Sequence, residues 1–272
     1  MRRPIHAARL RGAAFVPAGI GAALACALLG ACGGGTSSPG SGSTQGVGNA
    51  SASATQSTNW SGYAVTGTLG SFTKISGSWT VPATDCSGSA STASATWAGI
   101  GGFKTTDATL IQAGTEQDCD SGSSGYYAWW EGYPAASVDI STSGKYLVSP
   151  GDQITVTIGS SLLLVWSISI EDQTAGWTFT TTTPFLAAGE SAEWIEEAPL
   201  ESSLASGSEE ATLADFGGVS FGALTANGAS PALTAADAID MVDAKGNIIA
   251  SPSAPGASGD SFSVCYGSGS CD

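Results

Sequence analysis

Short runs of β-forming residues, separated by clusters of Gly, Ser, Pro and Asp, recur at roughly ten-residue intervals from position 59 onward. The runs are rich in Val, Ile, Thr, Trp and Tyr, and no long stretch has the period of an amphipathic helix. Only 233–237 is expected to form a short helix or turn. The expected strands are 59–65, 75–81, 126–133, 153–158, 162–170, 177–182, 192–197 and 262–265. The pattern predicts an all-β antiparallel sandwich or barrel.

The chain divides into three segments of different composition. Residues 1–31 have a basic start followed by an apolar stretch, and the small residues before Cys32 resemble a bacterial lipoprotein signal, with Cys32 as the lipidation site. Residues 32–58 are rich in Gly, Ser and Thr and have almost no large apolar side chain, so we expect a disordered tether. Residues 59–272 are long enough for one domain with a substantial core. We therefore expect an exported protein, either a lipoprotein of the cell envelope or a secreted one.

The cysteines agree with an oxidising compartment. Cys26 lies in the apolar leader and Cys32 is the candidate lipidation site, which leaves four cysteines in the domain. Four cysteines allow three pairings. No CxxC spacing occurs to favour a metal site, and two of the four are close neighbours in sequence. We therefore favour the pairs Cys86–Cys119 and Cys265–Cys271.

The charges of the domain are almost all negative. All 23 acidic residues lie beyond position 31, where the basic residues are four lysines and there is neither Arg nor His. This composition excludes a Ser-His-Asp or Cys-His pair, a His-ligated zinc site, an arginine-lined phosphate clamp and a nucleic-acid footprint. Because so few cations exist to repel one another at low pH, the composition also indicates an acid-resistant protein.

Three segments carry polar residues in unusual places. In the strand at 126–133, alternation puts Tyr127, Trp129, Glu131 and Tyr133 on one face, where an acid among aromatic rings is costly unless it has a partner. Such a face indicates either a ligand cleft or a core with a satisfied Glu. In a second segment, Gln112 interrupts an otherwise apolar strand. The third segment is the strand at 192–197.

The strand at 192–197 has three carboxylates within five residues. Alternation places Glu193 and Glu197 on one face and Glu196 on the other. This pattern fits an active-site strand as well as it fits a solvated edge strand whose charges prevent aggregation.

Taken together, these segments resemble the glutamic peptidases (eqolisins), and the chain is similar to a bacterial member of that family. The matching segments follow the family's order and cover essentially all of 59–272. They are Asn59-Trp60-Ser61-Gly62, Trp79-Thr80-Val81-Pro82, Trp97-Ala98-Gly99-Ile100, Leu110-Ile111-Gln112-Ala113-Gly114, the strand at 126–134, and Ala192-Glu193-Trp194-Ile195-Glu196-Glu197, with a looser match at Asp215-Phe216 and beyond.

The resemblance implies a sandwich of two curved antiparallel sheets, a concanavalin-like jelly roll, with a cleft on one concave face. It implies an acid endopeptidase that acts on unfolded proteins without metal or cofactor. Its catalytic pair would be Gln112 and Glu197. Other residues would line the cleft and bind substrate, namely Trp60, Trp97, Trp129, Glu131 and Tyr133.

In the implied chemistry, ionised Glu197 takes a proton from the attacking water and returns it to the leaving amine, while the Gln112 amide stabilises the oxyanion. A carboxyl pKa near ~4 would suit mild acid. The sequence departs from the family at three positions: Gly101 replaces an Asp of fungal relatives, Tyr127 replaces an acidic residue and Gly132 an aromatic one. We expect polypeptide substrates, a membrane contact only through a lipid at Cys32, no nucleic acid, and a monomer.

Two other classes of function fit the same composition. A carbohydrate-active sandwich could use Glu131 and Glu197 as the carboxylate pair of a retaining glycosidase, with tryptophans for sugar stacking. A non-catalytic, lectin-like binding module could use the same aromatic face. Gln112 distinguishes them, because only the peptidase gives its amide a required role.

Overall fold

The computed structural model describes residues 54–88, 90–162, 164–203 and 207–267. The leader at 1–31, the proposed lipidation site Cys32 and most of the tether lie outside these residues, as does Cys271 of the second expected disulfide. In the described part of the chain, no helix is long and apolar enough to cross a membrane. The lipoprotein signal, the tether and the Cys265–Cys271 pair therefore stay predictions.

The described residues form an all-β domain, as the sequence pattern predicts. Its strands are β1 (Thr55–Ser57), β2 (Trp60–Thr66), β3 (Lys74–Thr80), β4 (Thr92–Gly101), β5 (Leu110–Asp120), β6 (Ser123–Tyr133), β7 (Val138–Asp139), β8 (Gln153–Leu162), β9 (Val165–Asp172), β10 (Trp177–Pro184), β11 (Ser191–Glu197), β12 (Leu200–Ser203), β13 (Gly207–Glu210), β14 (Gly218–Ala226), β15 (Ala238–Val242), β16 (Ile248–Pro252) and β17 (Phe262–Tyr266). Short 3₁₀ helices occur at Ser141–Ser143 and Ala235–Asp237, and the second matches the helix or turn expected at 233–237.

Most strands belong to one hydrogen-bonded path in the order β10-β9-β8-β3-β14-β17-β16-β15-β2-β11-β4-β5-β6-β7. All pairs along this path are antiparallel, and β1 adds to β15 in parallel. Strands β12 and β13 form a separate hairpin directly after β11. The antiparallel architecture is confirmed, while the jelly-roll detail stays a prediction.

The path folds over so that β8 and β9 lie against β4 and β5. On β8, Ile154, Val156 and Ile158 are buried between the two layers, and the threonines that alternate with them are partly exposed. This two-residue period follows from the pleat of a strand and explains the alternating sequence. A large apolar cluster between the layers holds them together.

Strands β4 and β11 are buried on both faces, unlike β8. Their second face carries a separate apolar cluster of tryptophans and small residues, which includes Trp60, Trp97, Trp129 and Ile195. Near one end of this region, the expected disulfide Cys86–Cys119 ties the chain after β3 to the end of β5. The second buried face is where the structure collects the candidate site residues.

Candidate active site

All seven residues expected in the catalytic pair and cleft lie on this second face. The register explains why. Gln112 on β5 pairs with Gly99 on β4, and Glu197 on β11 pairs with Ala95 on the same strand. Gly99 and Ala95 are four residues apart, so their partners point to the same side of the sheet. The others are Trp60 on β2, Trp97 on β4, and Trp129, Glu131 and Tyr133 on β6.

Glu197 is almost fully buried and accepts hydrogen bonds on both carboxyl oxygens. The indole Nε1 of Trp97 donates to Oε2 at 2.7 Å, and the amide Nδ2 of Asn59 donates to Oε1 at 3.2 Å. Burial raises the pKa of Glu197 to about 8, although hydrogen bonds from Trp60, Trp97 and Asn59 act to lower it. The expectation of a pKa near ~4 is therefore wrong for this geometry, because alternation in a sequence gives no measure of how deeply a face is buried.

Gln112 is held from its nitrogen side. Its Nε2 donates to Oε2 of Glu131 on the neighbouring strand at 2.8 Å, and the two residues pair directly in the register. Its carbonyl Oε1 is buried and has no hydrogen-bond partner among the described residues. An amide nitrogen has two hydrogens. One is used by Glu131, and the second can be donated to a bound group.

Aromatic rings lie between the two candidate catalytic residues. Trp97 pairs in register with Gly114, which in turn pairs with Trp129, so the two rings flank a position without a side chain. A Cβ at Gly114 would lie 2.2 Å from a backbone oxygen of β4 and 2.6 Å from the Cβ of Trp97, so only Gly fits. Trp60 packs edge-on against Trp97, with 5.0 Å between ring centroids.

Glu196, the neighbour of Glu197 on β11, points to the opposite face of the sheet, as alternation predicts. It accepts a hydrogen bond from the hydroxyl of Thr96 at 2.6 Å. Thr96 in turn accepts one from Gln117, and Gln117 accepts one from Ser94. This network lies between the layers and leaves Oε1 of Glu196 without a partner among the described residues, and burial raises the pKa of Glu196 to about 7.

Sequence reasoning missed several residues of the site. Asn59 is quoted in the first matching segment, but nothing in the pattern marks it as a donor to a strand more than a hundred positions away. Glu116 lies on the same face as Glu197, and the hydroxyl of Tyr127 donates to it. Asp107 was also missed. It lies in a loop, where strand alternation does not apply, and it is nonetheless buried.

Outside this face, the described structure has a buried pair of acids, Asp152 and Asp172, and two surface depressions that are not acidic. Two surface depressions, of ≈ 270 and ≈ 440 Å³, are lined by residues at 232–259 and at 157–182, and neither lining includes an acidic side chain. Within the described ranges, no three His, Cys, Asp or Glu side chains come together as a metal site would require. The face that holds Glu197 and Gln112 is therefore the candidate active site.

Known proteins resemble the chain over this whole domain. The model of the Peptidase A4 family matches residues 58–266. Aspergillopepsin-2 of Aspergillus niger is 29% identical over 233 residues, which cover 77% of this chain and 78% of that protein. Among solved structures, a scytalido-glutamic peptidase with a transition-state analog inhibitor aligns with a TM-score of 0.64 and 25% identity, over 77% of this chain and 98% of its own. The aspergilloglutamic peptidase of Aspergillus niger aligns with a TM-score of 0.51 and 28% identity, over 64% and 99%.

Proposed function

The chain belongs to the Peptidase A4 family and is a glutamic endopeptidase, and we propose that it cleaves unfolded proteins in acid through Glu197 and Gln112. One observation carries this assignment. A buried carboxyl group with donors on both oxygens shares one sheet face with a buried amide, on the two strands that flank β4. A carboxyl that exchanges protons and an amide that stabilises an oxyanion can together hydrolyse an amide bond without a metal.

Glu197 begins the reaction protonated. With a pKa of about 8, its carboxyl group holds a proton throughout the acid range. This changes the order of the steps that the resemblance implies, in which an ionised Glu197 starts by taking a proton from water. The overall role of Glu197 as both acid and base is the same.

In the first step, a water molecule attacks the scissile carbonyl carbon while Glu197 gives its proton to the carbonyl oxygen. The carboxylate then takes a proton from the attacking water, which leaves a neutral tetrahedral intermediate. During the attack, Nε2 of Gln112 donates its second hydrogen to the oxygen on which negative charge develops. The bond to Glu131 fixes the amide in the orientation that aims this hydrogen.

In the second step, Glu197 gives its proton to the amide nitrogen as the carbon–nitrogen bond breaks. The carboxylate then takes a proton from a hydroxyl of the intermediate, which becomes the new carboxylic acid. Glu197 thus regains its starting proton. Trp97 and Asn59 stabilise the ionised form that occurs twice in the cycle, because both are donors without acceptor capacity at those atoms.

We assign substrate binding to the aromatic floor between the two residues, which consists of Trp60, Trp97, Trp129 and Tyr133 together with Glu131. Trp60, Trp97 and Trp129 are 0% exposed in this structure, so their rings would contact peptide side chains only with this face uncovered, and the T-shaped contact between Trp60 and Trp97 fixes the orientation of both. The replacement at Tyr127 lies on the same face of β6 as this floor, so we expect it to affect substrate preference, whereas a Cβ at Gly132 would point to the other face, 3.0 Å from the ring of Phe185. The disulfide Cys86–Cys119 supports export of the domain.

The register disfavours the glycosidase alternative. On the backbone, Glu131 on β6 and Glu197 on β11 are separated by three strand spacings, about 14 Å, and by four residues along the strands, and Gln112 lies one strand nearer to Glu197. The carboxyls of a retaining glycosidase lie about 5 Å apart.

The proposal is tested by incubating the purified protein with unfolded casein from pH 2 to 7 and sequencing the new N-termini. We expect cleavage in acid that is lost in both Glu197→Gln and Gln112→Ala. Folding of each variant is checked by circular dichroism. Absence of cleavage by a folded wild-type protein, or full activity of Glu197→Gln, would contradict the assignment.

A further inference from the structure

A second pair of buried acids, Asp107 and Glu193, lies on the same face at the Gln112 end. Asp107 is 2% exposed and Glu193 is 0% exposed. Neither takes part in the steps described above. Buried carboxyl groups are costly unless they are paired or protonated, so this pair needs an explanation.

Asp107 is anchored by one of its two oxygens. Oδ1 accepts from the backbone N–H of Thr109 at 3.0 Å and from its hydroxyl at 2.6 Å. Oδ2 has no hydrogen-bond partner among the described residues and lies 3.0 Å from the point where a Cβ on Gly101 would be. Asp107 therefore brings a carboxyl oxygen next to Gly101.

Glu193 reaches the same place from β11. Ser191 and the backbone of Gly101 lie close to it, but neither of its oxygens makes a hydrogen bond of good geometry within the described residues. Burial raises the pKa of Glu193 well above its ordinary range, and the nearby Asp107 raises it further. Burial therefore favours the protonated form of Glu193, which can donate a hydrogen bond.

The side-chain carbonyl oxygen of Gln112 can accept a hydrogen bond from this carboxyl group. Gly99 pairs with Gln112 on one side and with Glu193 on the other, so the two side chains share a row of the face with only a glycine between them. A Cβ at Gly99 would lie 3.0 Å from the Cβ of Gln112. The carbonyl oxygen of Gln112 is buried without a partner among the described residues, and it belongs to the half of the amide that Glu131 leaves unbound.

We propose that Glu193 and Asp107 form a carboxyl pair that positions Gln112 from its carbonyl side, with the proton of Glu193 donated to Oε1 directly or through one water. The amide is then held at both ends, by Glu131 at its nitrogen and by Glu193 at its oxygen. Flipping of the amide would exchange donor and acceptor at the oxyanion, and this contact prevents it. The proposal rests on the function proposed for Gln112, and Glu193 acts through that residue rather than on substrate.

The kinetic test compares Glu193→Ala with Glu193→Gln on a peptide substrate. We expect Glu193→Ala to lower kcat by about 100-fold with little change in KM, because a misplaced catalytic group affects the chemical step. The conservative Glu193→Gln, whose amide still donates, keeps most of the wild-type kcat. It also makes the loss of activity at alkaline pH less steep, since Glu193 can no longer ionise. The titratable group that faces Glu193 from the adjoining loop is Asp107, and Glu131 lies across the same row.

The matched control is Glu190→Gln. Glu190 precedes β11, accepts from Thr106 and lies 3.9 Å from the ammonium of Lys104, away from Gln112. We expect this variant to have wild-type kcat and pH dependence. Equal losses of kcat in Glu193→Gln and Glu193→Ala, with both variants folded, would overturn the proposal.

A measurement without substrate separates this proposal from the proposed function. In ¹⁵N-labelled protein, the side-chain amide signals of Gln112 are assigned by their absence from Gln112→Ala. We expect these signals to shift and broaden in Glu193→Ala and to stay sharp in Glu193→Gln and Glu190→Gln. Unchanged Gln112 signals in Glu193→Ala would overturn the positioning role, even if the protein proves to be an active peptidase. The expected changes would support it even if no peptide is cleaved.

Discussion

Glu196 and Glu197 are neighbours on β11, yet they lie on opposite faces of the same sheet. Both are buried, and burial raises the pKa of each, to about 7 and about 8. Glu196 faces the interior between the layers and joins a chain of hydroxyl and amide groups that starts with Thr96. Glu197 faces the aromatic floor and shares its face with Gln112.

The comparison shows that a buried carboxyl with a raised pKa is not by itself evidence of catalysis. Glu196 satisfies that description, yet its contact with Thr96 is a hydrogen bond within a structural network. Perturbed pKa values cluster at active sites, but structural networks produce them too. What distinguishes Glu197 is the state of the amide on its face: Gln112 has a carbonyl oxygen without a partner among the described residues, whereas Gln117 on the Glu196 face donates to Thr96 and accepts from Ser94.

The largest effect is expected from neutralising the two acids separately. Glu197→Gln removes the group that transfers every proton in the mechanism, so kcat/KM should fall by about 1,000-fold or more. Glu196→Gln makes the same substitution on the other face of the strand. It should keep kcat/KM within about tenfold of wild type. Initial rates on one fluorogenic peptide at pH 4 measure both. Comparable losses in the two variants would remove the distinction between the faces.

The next effect concerns two glutamines of β5 that also lie on opposite faces. Gln112→Ala removes the oxyanion donor and should lower kcat by about 100-fold to 1,000-fold. Gln117→Ala is the matched control, because Gln117 belongs to the Glu196 network. We expect it to reduce stability and leave kcat nearly unchanged. Steady-state kinetics beside urea unfolding separates these outcomes, and a large kcat loss in Gln117→Ala would count against the assignment.

The third prediction concerns stability and pH. Because burial raises the pKa of Glu196 in the fold to about 7, its contribution to stability is fully present below its unfolded pKa and is lost as pH rises through about 7. A rise from 4.5 to about 7 corresponds to about 3 kcal/mol. Urea unfolding should therefore give a free energy of unfolding that falls between pH 4 and 8. In Glu196→Gln, the fall should be smaller by about that amount, and an unchanged pH dependence would show that Glu196 titrates normally.

Much of this distinction could be predicted from the sequence. Alternation alone separated Glu196 from Glu197, because the two-residue period of a strand is a local property of the backbone. The pair Cys86–Cys119 could be predicted because it was one of only three arrangements. The all-β architecture followed from short β-forming runs and frequent turn residues.

Other features depend on contacts that no local pattern reveals. The pKa of Glu197 could not be predicted, since it depends on what covers the face. Asn59 donates to Glu197 only because β2 and β11 pair, and that pairing joins residues 138 positions apart. Asp107 lies in a loop to which strand alternation does not apply, and only the fold buries it and brings it to Gly101.

The smallest effect is expected at Asn59. Its Nδ2 donates to Oε1 of Glu197 and acts to lower the pKa of that carboxyl, so Asn59→Ala should raise the pKa further. Because Glu197 starts the reaction protonated, the loss of activity at alkaline pH should then move upward, while kcat/KM at pH 4 falls only about fivefold, the value of one hydrogen bond. Asn227→Ala is the control, because Asn227 bonds to exposed backbone near Ser71 and Thr73. The measurement is kcat/KM from pH 3 to 9 for the three proteins. If Asn59→Ala moved the alkaline limb downward instead, Glu197 would not be the group whose proton starts the reaction, and the order of proton transfers proposed above would be wrong.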